Sequence, residues 1–183
     1  DYLLGQRREG NDLMAWNADS TRMPATMHAQ YLRRLYLDND LSQGRYRVDG
    51  KPVELKDIAV PVFCVATEAD HVAPWHSVYK VHHLFTDEVT FVLTSGGHNA
   101  GIVSEPGHPG RRYRTLVRPR EATTLAAETW LSQAQSHEGS WWTAWTQWLE
   151  AHSGPPQSPP GMGLSGRREE SLPPAPGSYV MQK

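Results

Sequence analysis

Two runs of β-branched and aromatic residues, VPVFCVAT at 60–67 and VTFVLTS at 89–95, constrain this chain more than any other feature. Neither run has a polar face, which is the pattern of strands covered on both sides of a parallel sheet. Between them, PWHSVYKVHHLF at 74–85 puts Pro74 in a first helical turn and Val78, Val81 and Phe85 on one apolar stripe. Strand, helix and strand in that order predict a βαβ unit, and so an α/β fold. The two strands then run the same way and end at one edge of the sheet, where α/β proteins bind their ligands.

Asp70 follows the first run and His98 the second. The parallel arrangement brings them together although 28 residues separate them in sequence. A carboxylate that accepts a hydrogen bond from one imidazole nitrogen fixes the tautomer and stabilises the imidazolium formed when the other nitrogen takes a proton. Acid before His, on late strands, is the order found in α/β-hydrolases. Gly96, Gly97 and Gly101 allow a sharp turn beside His98 and close approach of a substrate. The plainer readings are a turn-forming Asp70 before Pro74 and a weak anion-binding loop at SGGHNAG.

An acid and a base require a nucleophile, and the described chemistry places it on a tight elbow of the form G-x-S/C-x-G. These residues contain no such motif. Cys64, the single cysteine, sits inside the first strand, six residues before Asp70. At about 3.3 Å per residue it lies on the order of 20 Å from the acid, whereas a catalytic thiol must reach its base. Cys64 is therefore read as structural, and the nucleophile is expected upstream of Asp1.

Three stretches divide the chain. Residues 1–57 are expected to form a lid or cap segment, with a helix capped by Ser20 or Thr21 and started by Pro24. Met27, Tyr31 and Leu35 recur every four residues and predict one buried face. Asp49-Gly50 between two short alternating runs predicts a hairpin, with Pro52 on an edge. Residues 58–153 carry the core, ending in SWWTAWTQWLEAH. There Ser140 is a candidate N-cap, and Trp141, Trp145 and Trp148 share a face that either docks on the sheet or meets an apolar surface. Residues 154–183 hold seven prolines and five glycines, too little apolar material for a packed element, and are expected to be largely disordered.

Charge excludes some partners. Eighteen basic and 20 acidic residues give a net charge of −2, which is no nucleic-acid signature. Mean hydropathy is −0.59 and no run is long enough to span a membrane. The start, DYLLGQRREG, lacks an initiator Met and an export signal and reads as the interior of a longer sequence, with a cytoplasmic location expected. Arg111, Arg112, Arg114, Arg118 and Arg120 form a basic run that is read as a solvated loop, or as a contact for phosphate groups.

Several blocks together, LMAWNADSTRMP, YLRRLYLDNDL, VATEADHVAPWHSVY, SGGHNAG, GSWWTAWTQWL and PAPGSYV, resemble the C-terminal catalytic region of class I poly(3-hydroxyalkanoate) synthases. The resemblance runs along almost the whole chain. It implies the C-terminal portion of an α/β-hydrolase-like fold, with parallel strands, flanking helices and part of a lid. It further implies polymerisation of (R)-3-hydroxyacyl-CoA with coenzyme A release, through a Cys-His-Asp site whose Cys lies upstream. Asp70 and His98 fall on the acid and base, and His71 on the residue beside the acid as active-site support. No cofactor beyond the coenzyme A thioester substrate is implied, and the chain alone is expected to be inactive. The implied partners are the growing polyester, the granule surface and a second copy of the full-length chain. The segment VSEPGHPGRRYRTLVRPRE departs from the usual Asn-Pro-Pro continuation after the His.

Two alternatives compete. An esterase, thioesterase or depolymerase uses the same pair with water as acceptor. A non-enzymatic metal-binding module is suggested by Asp70, His71, His76, His82 and His83, although His82 and His83 face different sides of a helix and no H-E-x-x-H occurs. No metal site is expected.

Overall fold

The computed structural model describes residue 18 and residues 22–160. Of the described residues, those up to Trp145 form one compact unit and those from Thr146 a second.

Helix α1 (Ala25–Tyr31) starts after Pro24, whose carbonyl accepts the His28 N–H at 3.0 Å. Ser20 and Thr21, the expected caps, lie outside the described residues. The helix runs on into a π-wound stretch, Leu32–Leu37. Here the expected buried face needs correction: Met27 is 56% and Tyr31 41% exposed, and only Leu35 is partly covered. Periodicity tells which side chains share a face, not whether another element meets it. Among the described residues none covers this one. Strands β1 (Arg47–Val48) and β2 (Lys51–Pro52) then form an antiparallel hairpin. Asp49 and Gly50 turn it with φ of 49° and 76°, the paired positive angles of a type I′ turn.

The main sheet has four strands in the order β3-β4-β5-β6. The two apolar runs form β3 (Val62–Thr67) and β4 (Val89–Thr94), which are parallel, with Val62 opposite Val89 and Thr67 opposite Thr94. This is a mixed α/β architecture. The crossover is not one helix but two short ones, α2 (Trp75–Val78) and α3 (Val81–Leu84). At their junction the His82 N–H bonds Tyr79 and the His83 N–H bonds Lys80, i to i−3 contacts that tighten the winding. Both Tyr79 and His82 turn inward as a result, at 4% and 3% exposure.

After β4 come α4 (His98–Ile102) and β5 (Arg112–Arg118), which pairs antiparallel with β4. Arg112, Arg114 and Arg118 of the basic run thus lie in a strand and not in a solvated loop, whereas Arg111 precedes the strand and Arg120 follows it. Tyr113 packs toward Val92 and Trp141 on one face, and Leu116 toward the opposite cluster. Arg112, Arg114 and Arg118 along the strand mask its pattern in the sequence. Helix α5 (Ala127–Gln133) and β6 (Gln135–Glu138), antiparallel to β5, complete the sheet, and α6 (Trp142–Ala151) follows.

Two apolar clusters flank the sheet. On one face Ala66, Phe91, Leu93 and Tyr79 surround Trp130, with the Phe91 and Trp130 rings edge-to-face at 5.0 Å. On the other, Val92, Tyr113 and Trp141 pack with Phe63 and Val65. Strand β4, buried at all six positions, is what both clusters rest on.

Candidate active site

The parallel ladder runs two bonds past the ends of its strands. Glu68 donates its N–H to Thr94 O at 2.9 Å, and Ala69 donates to Gly96 O at 3.0 Å. These bonds bring the segment before Asp70 against the loop that leads into His98.

At Asp70 the two carboxylate oxygens have separate tasks. Oδ1 accepts the backbone N–H of Val72 at 2.8 Å and of Ala73 at 2.9 Å, which locks the side chain in an Asx turn. Oδ2 lies 2.9 Å from Nδ1 of His98. The Ala73 N–H, followed by the His98 bond, holds the Asp70 carboxyl down to about 2, so it is ionised across the neutral range. An ionised carboxylate only accepts, so Nδ1 carries the proton. In the neutral imidazole Nε2 then keeps the lone pair, and that is the form that serves as a base. The acid is largely covered and the imidazole half open, with 10% and 46% of the side chains exposed. That contrast suits a fixed orienting group and an accessible base.

His98 stands on the first residue of α4, a helix packed very closely on β3. Gly96 turns the approach with φ of 102°. A Cβ built on Gly101 would come within 2.5 Å of Thr67 Cγ2 and 3.0 Å of Ser95 O. Only glycine lets the helix lie that near the strand. Arg111 Nη2 donates to Ala100 O at 2.7 Å. At the far end of the helix, Trp141 and Trp142 both donate indole N–H groups to Ile102 O, at 3.2 and 2.9 Å. Arg112 closes the same sheet edge through a 2.7 Å ion pair with Glu68. These groups, which hold the helix and the sheet edge and not the His98 side chain itself, were not legible in the sequence as such. The pair of tryptophans after Ser140 was the one visible sign, and Ser140 does accept the Trp142 N–H at 3.0 Å.

Other residues singled out in the sequence go elsewhere. His71 is exposed beside Asp70 and takes no part in the Asp70–His98 bond. Cys64 lies opposite Phe91 in the sheet and packs on the cluster around Trp130. Burial pushes its thiol up to about 11, away from the thiolate a nucleophile needs. His76 pairs with Glu128 at 3.2 Å, His82 is buried and His83 is exposed. Among the described residues no three His, Cys, Asp or Glu side chains converge as metal ligands do. Trp141 is buried against Phe63, whereas Trp145 is 40% exposed. Residues from Gly154 to 160 have no regular structure, and the rest of the Pro/Gly-rich stretch lies outside the described residues.

No family model matches the chain. Curated relatives do. The chain is 43% identical over its whole length to "Poly(3-hydroxyalkanoate) polymerase subunit PhaC" of Rhizobium etli, covering 28% of that protein. It is 41% identical to "Poly(3-hydroxyalkanoate) polymerase" of Methylorubrum extorquens, again over the whole chain and 29% of the relative. A protein of Cupriavidus necator, "Poly(3-hydroxyalkanoate) polymerase subunit PhaC", is 35% identical, with 30% of its length covered. The chain thus spans less than a third of these relatives, and the matched region is their C-terminal part.

Proposed function

Because the chain belongs to the poly(3-hydroxyalkanoate) polymerase family, as a segment from the C-terminal part, we propose that it supplies the acid and base of an α/β-hydrolase-like acyltransferase site. The substrate in this reading is a (R)-3-hydroxyacyl-CoA, and the acceptor is the growing polyester. The observation that carries it is the 2.9 Å contact between Asp70 Oδ2 and His98 Nδ1, with Asp70 locked by two backbone donors.

The chemistry follows from that geometry. Nε2 of His98 takes the proton of a cysteine thiol contributed by another part of the polymerase, and Asp70 stabilises the imidazolium. The thiolate attacks the acyl thioester; the carbonyl–sulfur bond to coenzyme A breaks, and the departing thiolate takes the proton back. In the next step His98 removes the proton of a 3-hydroxyl group, whose oxygen attacks an acyl thioester and lengthens the ester chain by one unit. The enzyme thiolate leaves and is reprotonated. Base catalysis of this kind contributes roughly 10²–10⁴-fold.

The same reading makes residues 1–57 part of a lid and places the enzyme in the cytoplasm at polyester granules, as a homodimer. Among the described residues no helix is long and apolar enough to cross a membrane. Coenzyme A release from (R)-3-hydroxybutyryl-CoA tests the proposal. The 183-residue chain should match buffer. The full-length polymerase should release thiol and deposit polymer, and His98→Ala should remove most of that rate. Turnover by the 183-residue chain alone would place a nucleophile within it. Free hydroxy acid in place of polymer would make the enzyme a hydrolase.

A further inference from the structure

Thr67 is the last residue of β3. Strand alternation puts its side chain on the same face as Phe63 and Val65, which pack with Ile102 at the end of α4. At 2% exposure the residue is enclosed. Its methyl lies directly under the helix, where a Cβ on Gly101 would fall 2.5 Å from Cγ2. The other arm of the same side chain, Oγ1, lies 3.5 Å from Oδ2 of Asp70. One residue therefore meets both the acid and the helix that carries the base.

Among the described residues the Thr67 hydroxyl has no other hydrogen-bond partner. An ionised carboxylate only accepts, so the hydroxyl donates. The contact is at the long end of its range, and catalytic hydrogen bonds in enzymes without substrate are often long and tighten in the complex. Its place counts for more than its length. Oδ1 of Asp70 is held by the N–H groups of Val72 and Ala73. Oδ2 has His98 Nδ1 at 2.9 Å and, as its second partner, Thr67 Oγ1. The His98 side chain is 46% exposed, so packing holds it only in part and the bond to Oδ2 must do the rest. Whatever fixes Oδ2 fixes the imidazole.

We propose that Thr67 is a positioning residue of the site: its hydroxyl fixes Oδ2 of Asp70 for the imidazole of His98, while its methyl seats the helix from which that imidazole projects. The inference rests on the reading of Asp70 and His98 as acid and base. Thr67 acts only through these two residues. Such support matters because a shift of about 1 Å in a reacting group can cost roughly 10²-fold in rate.

The test is steady-state coenzyme A release from (R)-3-hydroxybutyryl-CoA by the full-length polymerase. Thr67→Val keeps the shape of the side chain and removes the hydroxyl. Its kcat should fall several-fold with KM unchanged, and circular dichroism should show an intact fold. Thr67→Ala repeats the deletion of the hydroxyl without the added methyl, should valine disturb the fold. Thr67→Ser restores the hydroxyl and should recover most of the kcat lost in the valine variant, with a thermal midpoint lowered by the missing methyl. Because the hydroxyl acts through the carboxylate, Thr67→Val added to Asp70→Asn should lower kcat no further, a coupling that independent sites do not show. Wild-type kcat in Thr67→Val and Thr67→Ala, no recovery in Thr67→Ser, or additive losses in the double variant overturns the inference and leaves Asp70 in its role. Unchanged turnover in Asp70→Asn overturns the acid reading and this inference with it.

Discussion

Thr67 and Thr94 are the last register pair of the parallel strands β3 and β4. Asp70 lies three residues beyond the first and His98 four beyond the second. The two bonds that extend the ladder, Glu68 to Thr94 and Ala69 to Gly96, carry strand geometry into the loops. The acid and the imidazole therefore meet because of a sheet register and not because of a local motif.

Asp70→Asn in the full-length polymerase should lower the rate of coenzyme A release by about 10²–10⁴-fold with the fold retained. An amide can present an N–H toward Nδ1, which favours the tautomer with its proton on Nε2 and removes the base. Steady-state thiol release, with circular dichroism of the variant, decides the matter. Turnover close to wild type would remove Asp70 from the mechanism.

Acid stability follows from the same carboxylate. Its value is lowered from the usual 3.8 to about 2, by the Ala73 N–H first and the His98 bond next. A carboxyl depressed in the folded state favours folding above its unfolded value, and that contribution fades as pH falls toward the folded one. Asp70→Asn should thus be less stable than wild type at pH 6, and the gap should narrow as pH drops from 4 toward 2. Urea midpoints of both proteins across this range measure it. A gap that widens on acidification would contradict the assignment of a lowered value.

Gly101→Ala should move the helix that carries His98. The added Cβ meets Thr67 Cγ2 at 2.5 Å and Ser95 O at 3.0 Å, too close without displacement of α4. Overpacking of this kind costs about 1–3 kcal/mol. Turnover should fall with it. Thr67→Ser removes the nearest clashing methyl and should restore part of both stability and rate. No recovery in the double variant would mean that the helix is displaced by something other than this contact.

Cys64→Ala should keep turnover within about tenfold of wild type while lowering thermal stability through lost core packing. The thiol, raised to about 11 by burial, should also react slowly with iodoacetamide at pH 8 in the folded protein. Loss of turnover by several orders of magnitude with an intact fold would make Cys64 the nucleophile after all.

The sequence was most informative where side-chain pattern and backbone geometry coincide. Two runs without a polar face specify strands buried on both sides, and β3 and β4 occupy 62–67 and 89–94 within them. Asp49-Gly50 specifies its turn because both residues tolerate positive φ. Strand β5 was illegible for the opposite reason. Its arginines read as a solvated stretch, yet Arg118 is buried on four backbone carbonyls and Arg112 is paired with Glu68. A charged residue in a sequence does not reveal whether distant carbonyls and carboxylates will be there to receive it.

By itself, then, the sequence determined the βαβ unit, the candidate acid and base at matching strand ends, and the place of Cys64 inside the first strand, since each rests on periodicity or spacing along the chain. Only the tertiary structure decided the antiparallel pairing of β5 with β4, the exposure of Met27 and Tyr31, and the crowding of Gly101 against Thr67. Those features depend on which surfaces meet, and residues far apart in sequence meet only when burial of apolar area and satisfaction of polar groups are settled across the whole fold.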